Sequence, residues 1–275
     1  MTEIKFPSIK DLASNLEIKY NKSLGQNFIF DLDITSRITS FAGNIKDKII
    51  VEIGPGLGSL TRPILYAQPK KCIALEKDDF LASQLTYLTT KYNNLEIINI
   101  DALDFDFAEL AKQHDSKIYL IANLPYNISS QILYKIFSCQ ESIELMILMF
   151  QKEVAKRITA EKGSKEYGKL SVLCQYLFEV NELMELAPEV FTPAPKVYSS
   201  VVSFVPKKNI DIGVYYKLNK LLTEAFKAKR KMLKNNLSSY FKEPEETLNL
   251  CQIDGKARAE DVSLEQYLKL LEQIL

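Results

Sequence analysis

Tryptophan is absent from the 275-residue chain, and histidine occurs once, at His114. The four cysteines, Cys72, Cys139, Cys174 and Cys251, lie far apart with no paired spacing. Zinc sites and histidine-based triads are therefore not expected, and no metal is assigned. The thiols read as reduced core residues of an intracellular protein. No stretch approaches the roughly 20 apolar residues that a membrane helix needs, and the N-terminus carries no apolar signal region. A soluble, cytoplasmic protein without a membrane partner is expected. Net charge is also missing: 35 Lys and Arg balance 35 Asp and Glu, which argues against a basic coat over the whole surface. The balance is uneven, however, because nine basic residues face two acids between Lys207 and Lys234. A hydrophobic fraction of 47% fits a large domain plus a small one.

What is present begins with Ile9, Leu12, Leu16 and Tyr20, spaced as a short amphipathic helix from about Ser8 to Tyr20. Leu24-Gly25-Gln26-Asn27-Phe28-Ile29-Phe30-Asp31 follows, a glycine turn leading to a helix capped by Asp31. Ile49 to Ile53 is a buried-strand run, and Gly54-Pro55-Gly56-Leu57-Gly58 comes directly after it, opening a helix from about Ser59. Glycines at such a junction let backbone and helix N-terminus approach a ligand closely. A second strand, Lys71 to Leu75, ends at Glu76, where a doubly wound fold places the carboxylate that binds a ribose diol. The G-x-G-x-G spacing differs from the G-x-G-x-x-G of nicotinamide enzymes and suits S-adenosylmethionine, which has no pyrophosphate to cradle. A third strand, Leu95 to Ile100, ends at Asp101, which reads either as an acceptor for the cofactor's adenine amine or as a helix cap. The fourth, Ile118 to Ala122, ends at Asn123. These polar groups therefore share the carboxyl rim of a parallel sheet, where open α/β folds bind ligands.

The stretch Asn123-Leu124-Pro125-Tyr126 combines an amide, a proline-fixed turn and an aromatic face. Pro125 pushes Leu124 towards an extended conformation, so that the Leu124 carbonyl and the Asn123 side chain can converge on one amino group while Tyr126 offers its ring. That set suits methylation of an exocyclic base amine, which needs orientation rather than a metal or strong base. The plainer reading is a proline turn with Asn123 as turn former and Tyr126 packed.

Further on, Ile143 to Phe150 reads as a fifth strand, followed by a charged helix from Lys152. Lys162 to Gly168 reads as a flexible charged loop, and Val197 to Val205 as a strand closing the sheet beside Asn181 to Ala187. After Pro206 the pattern is helical, with Leu218, Leu221, Leu222, Ala225 and Phe226 on one face. Lys227, Lys229, Arg230, Lys231 and Lys234 follow as a cluster suited to tracking phosphates.

With these residues in place, the chain resembles the bacterial small-subunit (16S) rRNA adenine N6,N6-dimethyltransferase family, related to the macrolide-resistance methylases and mitochondrial transcription factors. The resemblance rests on ordered motifs over nearly the whole length. They include Leu24 to Phe28, Val51 to Gly58, Glu76-Lys77-Asp78, Asn123 to Ser129, Gln151 to Ile158, Tyr167 to Val172, Phe191 to Val197 and Arg230 to Leu237. It implies that Asn27, Ile29, Gly54, Glu76, Asp101 and Asn123 line an S-adenosylmethionine site, with Gly56 and Gly58 completing the glycine turn. Phe191 is implied to sandwich the target base against Tyr126, although the residues alone fit a core phenylalanine anchoring the Pro-x-Pro turn equally well. Ile29 stands where the family more often has Leu, and Tyr198 where Asp usually follows Pro-Lys-Val. The expected protein is thus a Rossmann-like class I S-adenosylmethionine-dependent methyltransferase. Residues 1–206 would form the catalytic domain with an N-terminal helical extension, and 207–275 a small all-helical domain contacting rRNA. Its implied partner is 16S rRNA in an assembling small ribosomal subunit, met as a monomer, with two adjacent adenosines dimethylated. The alternatives are an RNA-binding assembly factor without a need for catalysis and a DNA adenine methylase. Intact Glu76, Asn123, Pro125 and Tyr126 count against a pure binder.

Overall fold

The computed structural model describes residues 7–16 and 26–274. The N-terminal helix forms over Ile9–Asn15, with the Ser8 side chain capping it at the Asp11 N–H. Its expected continuation to Tyr20, and Leu24 and Gly25 of the following motif, lie outside the described residues.

Nine strands are described: β1 (Phe28–Ile29), β2 (Ile49–Ile53), β3 (Lys71–Glu76), β4 (Leu95–Asn99), β5 (Ile118–Asn123), β6 (Ile143–Gln151), β7 (Phe178–Leu186), β8 (Phe191–Thr192) and β9 (Ser199–Pro206). Seven form one sheet in the order β4-β3-β2-β5-β6-β9-β7. β2 to β6 run parallel, because each is joined to the next by a helical crossover. The runs of β2, β3 and β5 are buried on both faces, as parallel strands covered by helices require, while β4 at the sheet edge is only partly covered. β9 turns antiparallel against β6, bringing Ser199 opposite Gln151. The order reverses between β2 and β5, both of which leave the sheet at its carboxyl rim. That crevice is where a doubly wound sheet binds ligands. The expected start of β9 at Val197 is displaced to Ser199, since Pro193 and Pro195 keep the preceding chain out of the ladder.

A separate two-stranded sheet pairs β1 with β8, Ile29 opposite Phe191 and Phe28 opposite Thr192. Two residues a side carry no readable periodicity, and sequence reading does not anticipate it.

The chain divides into two compact units, residues 1–155 with 181–206, and 156–180 with 207–275. Sequence reading drew a single boundary after Pro206, whereas residues 156–180 group with the helical unit. The reason is packing. Helix Lys169–Leu177 contacts helix Ile212–Ala225, the Tyr176 hydroxyl donates to the Asp211 carbonyl at 3.0 Å, and the Lys207 N–H donates to the Leu177 carbonyl at 2.9 Å. The Lys162 to Gly168 loop is tied within this unit, through the Gly163 N–H to the Glu260 carbonyl (2.9 Å) and the buried Tyr167 hydroxyl to the Val262 carbonyl (3.2 Å).

The basic cluster is not on a long helix. Helix Ile212–Ala225 stops before it, and Asn236 Nδ2 donates to the Ala225 and Ala228 carbonyls at 2.7 and 3.2 Å, satisfying groups a helix end leaves open. Lys227, Lys229, Arg230 and Lys231 are exposed in the turn that follows, and Lys234 sits on the short helix Leu233–Asn236. No candidate membrane-spanning helix occurs among the described residues.

Candidate active site

At the carboxyl rim of β2 to β5 a large cavity opens, drawn wholly from the first unit. Its walls include Asn27, Ile29, Gly54, Gly56, Glu76, Asp101 and the whole turn from Asn123 to Tyr126. These are all but two of the residues expected at the cofactor and catalytic positions. Gly58 and Phe191 do not line it.

Gly58 serves packing. With φ at +82°, a Cβ there would lie 3.0 Å from Leu85 and 3.1 Å from Leu88, so the glycine lets helix Asp79–Thr89 close on the turn. Phe191 is only 3% exposed and belongs to the core cluster that contains Ile29, Met149 and Val201. Of the two readings open for Phe191, its burial here fits the core anchor: its backbone pairs with Ile29 and holds β1.

The glycine turn is built for a close neighbour. Gly56 has φ +57°, and a Cβ there would fall 2.6 Å from the Phe28 ring. Its N–H donates to Glu76 Oε2 at 3.0 Å, while the Asp78 N–H donates to Oε1 at 2.9 Å. Two backbone donors thus hold a carboxylate, 7% exposed, at the end of β3. Burial pushes the Glu76 pKa up, and these backbone hydrogen bonds oppose the rise. Each oxygen retains acceptor capacity for a diol.

Asp101 is not a helix cap, because Asp106 holds that position for helix Phe107–Gln113. Its Oδ1 accepts from the Leu103 N–H at 2.9 Å and its Oδ2 takes Lys77 Nζ at 2.7 Å. The Lys77 hydrogen bond, then that from Leu103, hold its carboxyl below the usual range.

On the opposite wall, Asn123 Nδ2 donates to the Asn27 carbonyl at 3.0 Å, across 96 residues of sequence. The tie fixes the amide so that Oδ1 is the end left to accept. The Leu124 carbonyl accepts no backbone hydrogen bond from the described residues. Pro125 sits against the glycine turn, its Cδ 3.5 Å from where a Cβ of Gly54 would stand. The Tyr126 hydroxyl is 2.5 Å from Ser199 Oγ, and Ser129 Oγ donates to the Tyr126 carbonyl at 3.2 Å, so the ring is fixed at both ends. The Ser59 hydroxyl donates to the Ile29 carbonyl, adding a second anchor for β1.

Sequence reading missed Glu52, a carboxyl inside an apolar strand, 1% exposed and accepting from Thr61 Oγ1 at 2.6 Å. The signal was available, since an acid interrupts Ile49-Ile50-Val51-Ile53. Burial, opposed by Thr61 and reinforced by the charge of Glu76, pushes its pKa up to about 8. The folded state therefore holds a proton that the unfolded chain releases above the ordinary value of 4.5. This contribution is full below pH 4.5 and is lost as pH rises through about 8. Glu52→Gln, which mimics the neutral form, is expected to reduce the loss of Tm between pH 6 and pH 9 by about 5 °C relative to the unsubstituted chain. Parallel Tm curves by scanning calorimetry would remove Glu52 as the cause.

The residues present fit a methylthio-nucleoside. Glu76 suits a ribose diol and Asp101 an exocyclic adenine amine, while Gly54 and Gly56 line the cavity without side chains between them and a ligand. Sheet order, glycine turn and these carboxylates together define a class I S-adenosylmethionine-dependent methyltransferase. Comparison with known proteins carries this further: residues 17–275 match the family model for ribosomal RNA adenine dimethylase, and the chain belongs to that family. It is 41% identical over 260 residues to a ribosomal RNA small subunit methyltransferase A from Wolbachia pipientis, covering 94% of this chain and 97% of the relative. It is 42% identical over 255 residues to the protein of that name from Neorickettsia sennetsu, covering 92% and 97%. The crystal structure of a dimethyladenosine transferase from Plasmodium falciparum superposes with a TM-score of 0.77 at 26% identity, covering 90% of this chain and 96% of that one.

Proposed function

We propose that this protein transfers methyl groups from S-adenosylmethionine to N6 of two adjacent adenosines in the 3′-terminal hairpin of 16S rRNA, acting as a monomer in the cytoplasm on an assembling small subunit. The observation that carries this reading is the Asn123 amide, held by Asn27 in a cavity that Leu124 and Tyr126 also line.

When bound, the cofactor supplies a methyl group on a sulfonium centre open to direct attack by the N6 lone pair. Glu76 and Asp101 would hold the nucleoside end through its diol and adenine amine, in a cavity that Asn27, Ile29 and Gly54 also line. The target adenine has to leave its stack, at a cost of a few kcal/mol, and Tyr126 offsets part of that by offering its face. Asn123 Oδ1 and the Leu124 carbonyl accept the two amine hydrogens and turn the lone pair out of conjugation with the ring. Catalysis is then mainly positioning, and no side chain has to act as a strong base. A second transfer starts from an amine with one hydrogen left, which one of the two acceptors still holds.

The exposed run Lys229, Arg230 and Lys231 is the proposed phosphate contact. Lys227 and Lys234 already pair with Glu224 (3.3 Å) and Glu245 (2.8 Å), so they contribute less free charge. Replacing the three by Gln is expected to weaken binding of small ribosomal particles and flatten the log–log salt slope by about two, without changing cofactor affinity. An unaltered slope would place the phosphate contacts elsewhere.

The direct test is transfer of labelled methyl to small ribosomal particles from cells lacking the modification, with mass analysis of the nucleosides. Dimethyladenosine at two adjacent positions is the expected product. Particle binding without transfer, under conditions that bind cofactor, would favour the assembly-factor reading.

A further inference from the structure

Beyond the cavity, the same rim of the sheet carries an aromatic residue that the chemistry so far does not use. Tyr198 lies directly before β9, and its neighbour Ser199 is fully buried with its hydroxyl 2.5 Å from that of Tyr126. Tyr198 itself is 47% exposed and Val197 beside it 43%. Lys152, the first residue after β6, donates its N–H to the Tyr198 carbonyl at 2.9 Å and lays its Nζ over the Tyr198 ring, 5.4 Å from the centroid. The ammonium is also paired with Glu185, so its position over the ring is fixed. A cation therefore covers part of an aromatic ring that otherwise stays largely open to solvent, at an edge of the catalytic turn.

We infer that Tyr198, backed by Lys152, is a stacking platform for an unpaired nucleotide flanking the adenosine held at Tyr126. The placement argues for it. β5, β6 and β9 are successive neighbours in the sheet, so Tyr198 stands two strand spacings, or ~10 Å, from the strand that carries Asn123. An extruded base drags its neighbour out of regular stacking, and that neighbour needs an apolar face close by. Tyrosine backed by a cation provides one that tolerates any base, and the exposed Lys196, two residues before it, adds a positive charge available to a flanking phosphate. Beyond its contact with the Lys152 ammonium, a ring this exposed contributes little to stability. Here it gains a ligand.

The inference rests on the RNA-methylating reading, so the unsubstituted protein is first shown to transfer methyl to unmodified small ribosomal particles; failure there would concern that reading alone. Tyr198→Ala and Tyr198→Asp are then expected to raise KM for particles about ten-fold, with kcat, Tm and S-adenosylmethionine affinity unchanged. Tyr198→Phe keeps the ring and should behave as the unsubstituted protein. The salt slope of particle binding should stay the same in Tyr198→Ala, since a stacking contact releases no counterions. An unchanged KM in Tyr198→Ala, a Phe variant as impaired as the Ala variant, or a fall in Tm or cofactor affinity that accounts for the defect would each overturn the platform.

Discussion

Asn123→Ala lowers the single-turnover rate of methyl transfer by about 10²- to 10³-fold at saturating RNA and cofactor, while cofactor affinity changes by less than about ten-fold. The variant loses the acceptor that turns N6 towards the methyl group, together with the Asn27 tie. The tie is a single neutral hydrogen bond worth about 1 kcal/mol, so the chain stays folded and the loss falls on the chemical step. Rapid-quench measurement of labelled methyl reports it directly. A rate like that of the unsubstituted protein would leave Asn123 a turn former and nothing more. Asn123→Asp sharpens the point, because it keeps an acceptor but sets a charge against the Asn27 carbonyl. It should fall between Ala and the unsubstituted chain in rate.

The second large effect is at Glu76. Glu76→Ala should weaken S-adenosylmethionine about 10²-fold by calorimetry, and Glu76→Gln about ten-fold. The carboxylate does two things at once: it receives the Gly56 and Asp78 N–H groups and keeps lone pairs for a diol. Removing it frees the glycine turn as well as the ligand. Because burial raises the Glu76 pKa, the charged form is lost earlier than usual on acidification. Cofactor affinity should therefore decline as pH is lowered through that raised value and recover above it, whereas the Gln variant should stay flat. Matching pH profiles for both proteins would transfer the effect to another group.

Much of this was legible in the chain, for physical reasons that vary by element. Ile118 to Ala122 was readable because a strand buried on both faces is an apolar run, and Asn123 at its end marks the rim; Ile49 to Ile53 was readable despite Glu52 because the glycine turn follows it directly. Asp31 was readable as a cap because an acid directly before a helical pattern can accept from the first free N–H groups, whereas Asp78, which caps the helix after β3, was legible only as part of a motif. Phe191 was left between two readings because a phenylalanine beside a proline turn looks the same in sequence whether it faces a ligand or a core. Only its pairing with Ile29 decides. The segment 156–180 was assigned to the wrong unit because helix packing between residues about 40 apart leaves no local trace. Glu52 was passed over because a charged residue in a strand was absorbed into the motif rather than asked what it cost to bury.

The hydrogen bond from Asn123 to Asn27 has one more consequence, for the time at which activity appears. Its two ends are 96 residues apart, and the strand that anchors Asn27 is itself fastened to Phe191 and Thr192. On a growing chain, the parallel strands and their glycine turn can be complete while the acceptor pair is still unaligned. The pairing with residue 192 adds to the Ser59 anchor on β1, so the acceptor pair would gain its full alignment only after that late segment has emerged, well after the scaffold strands.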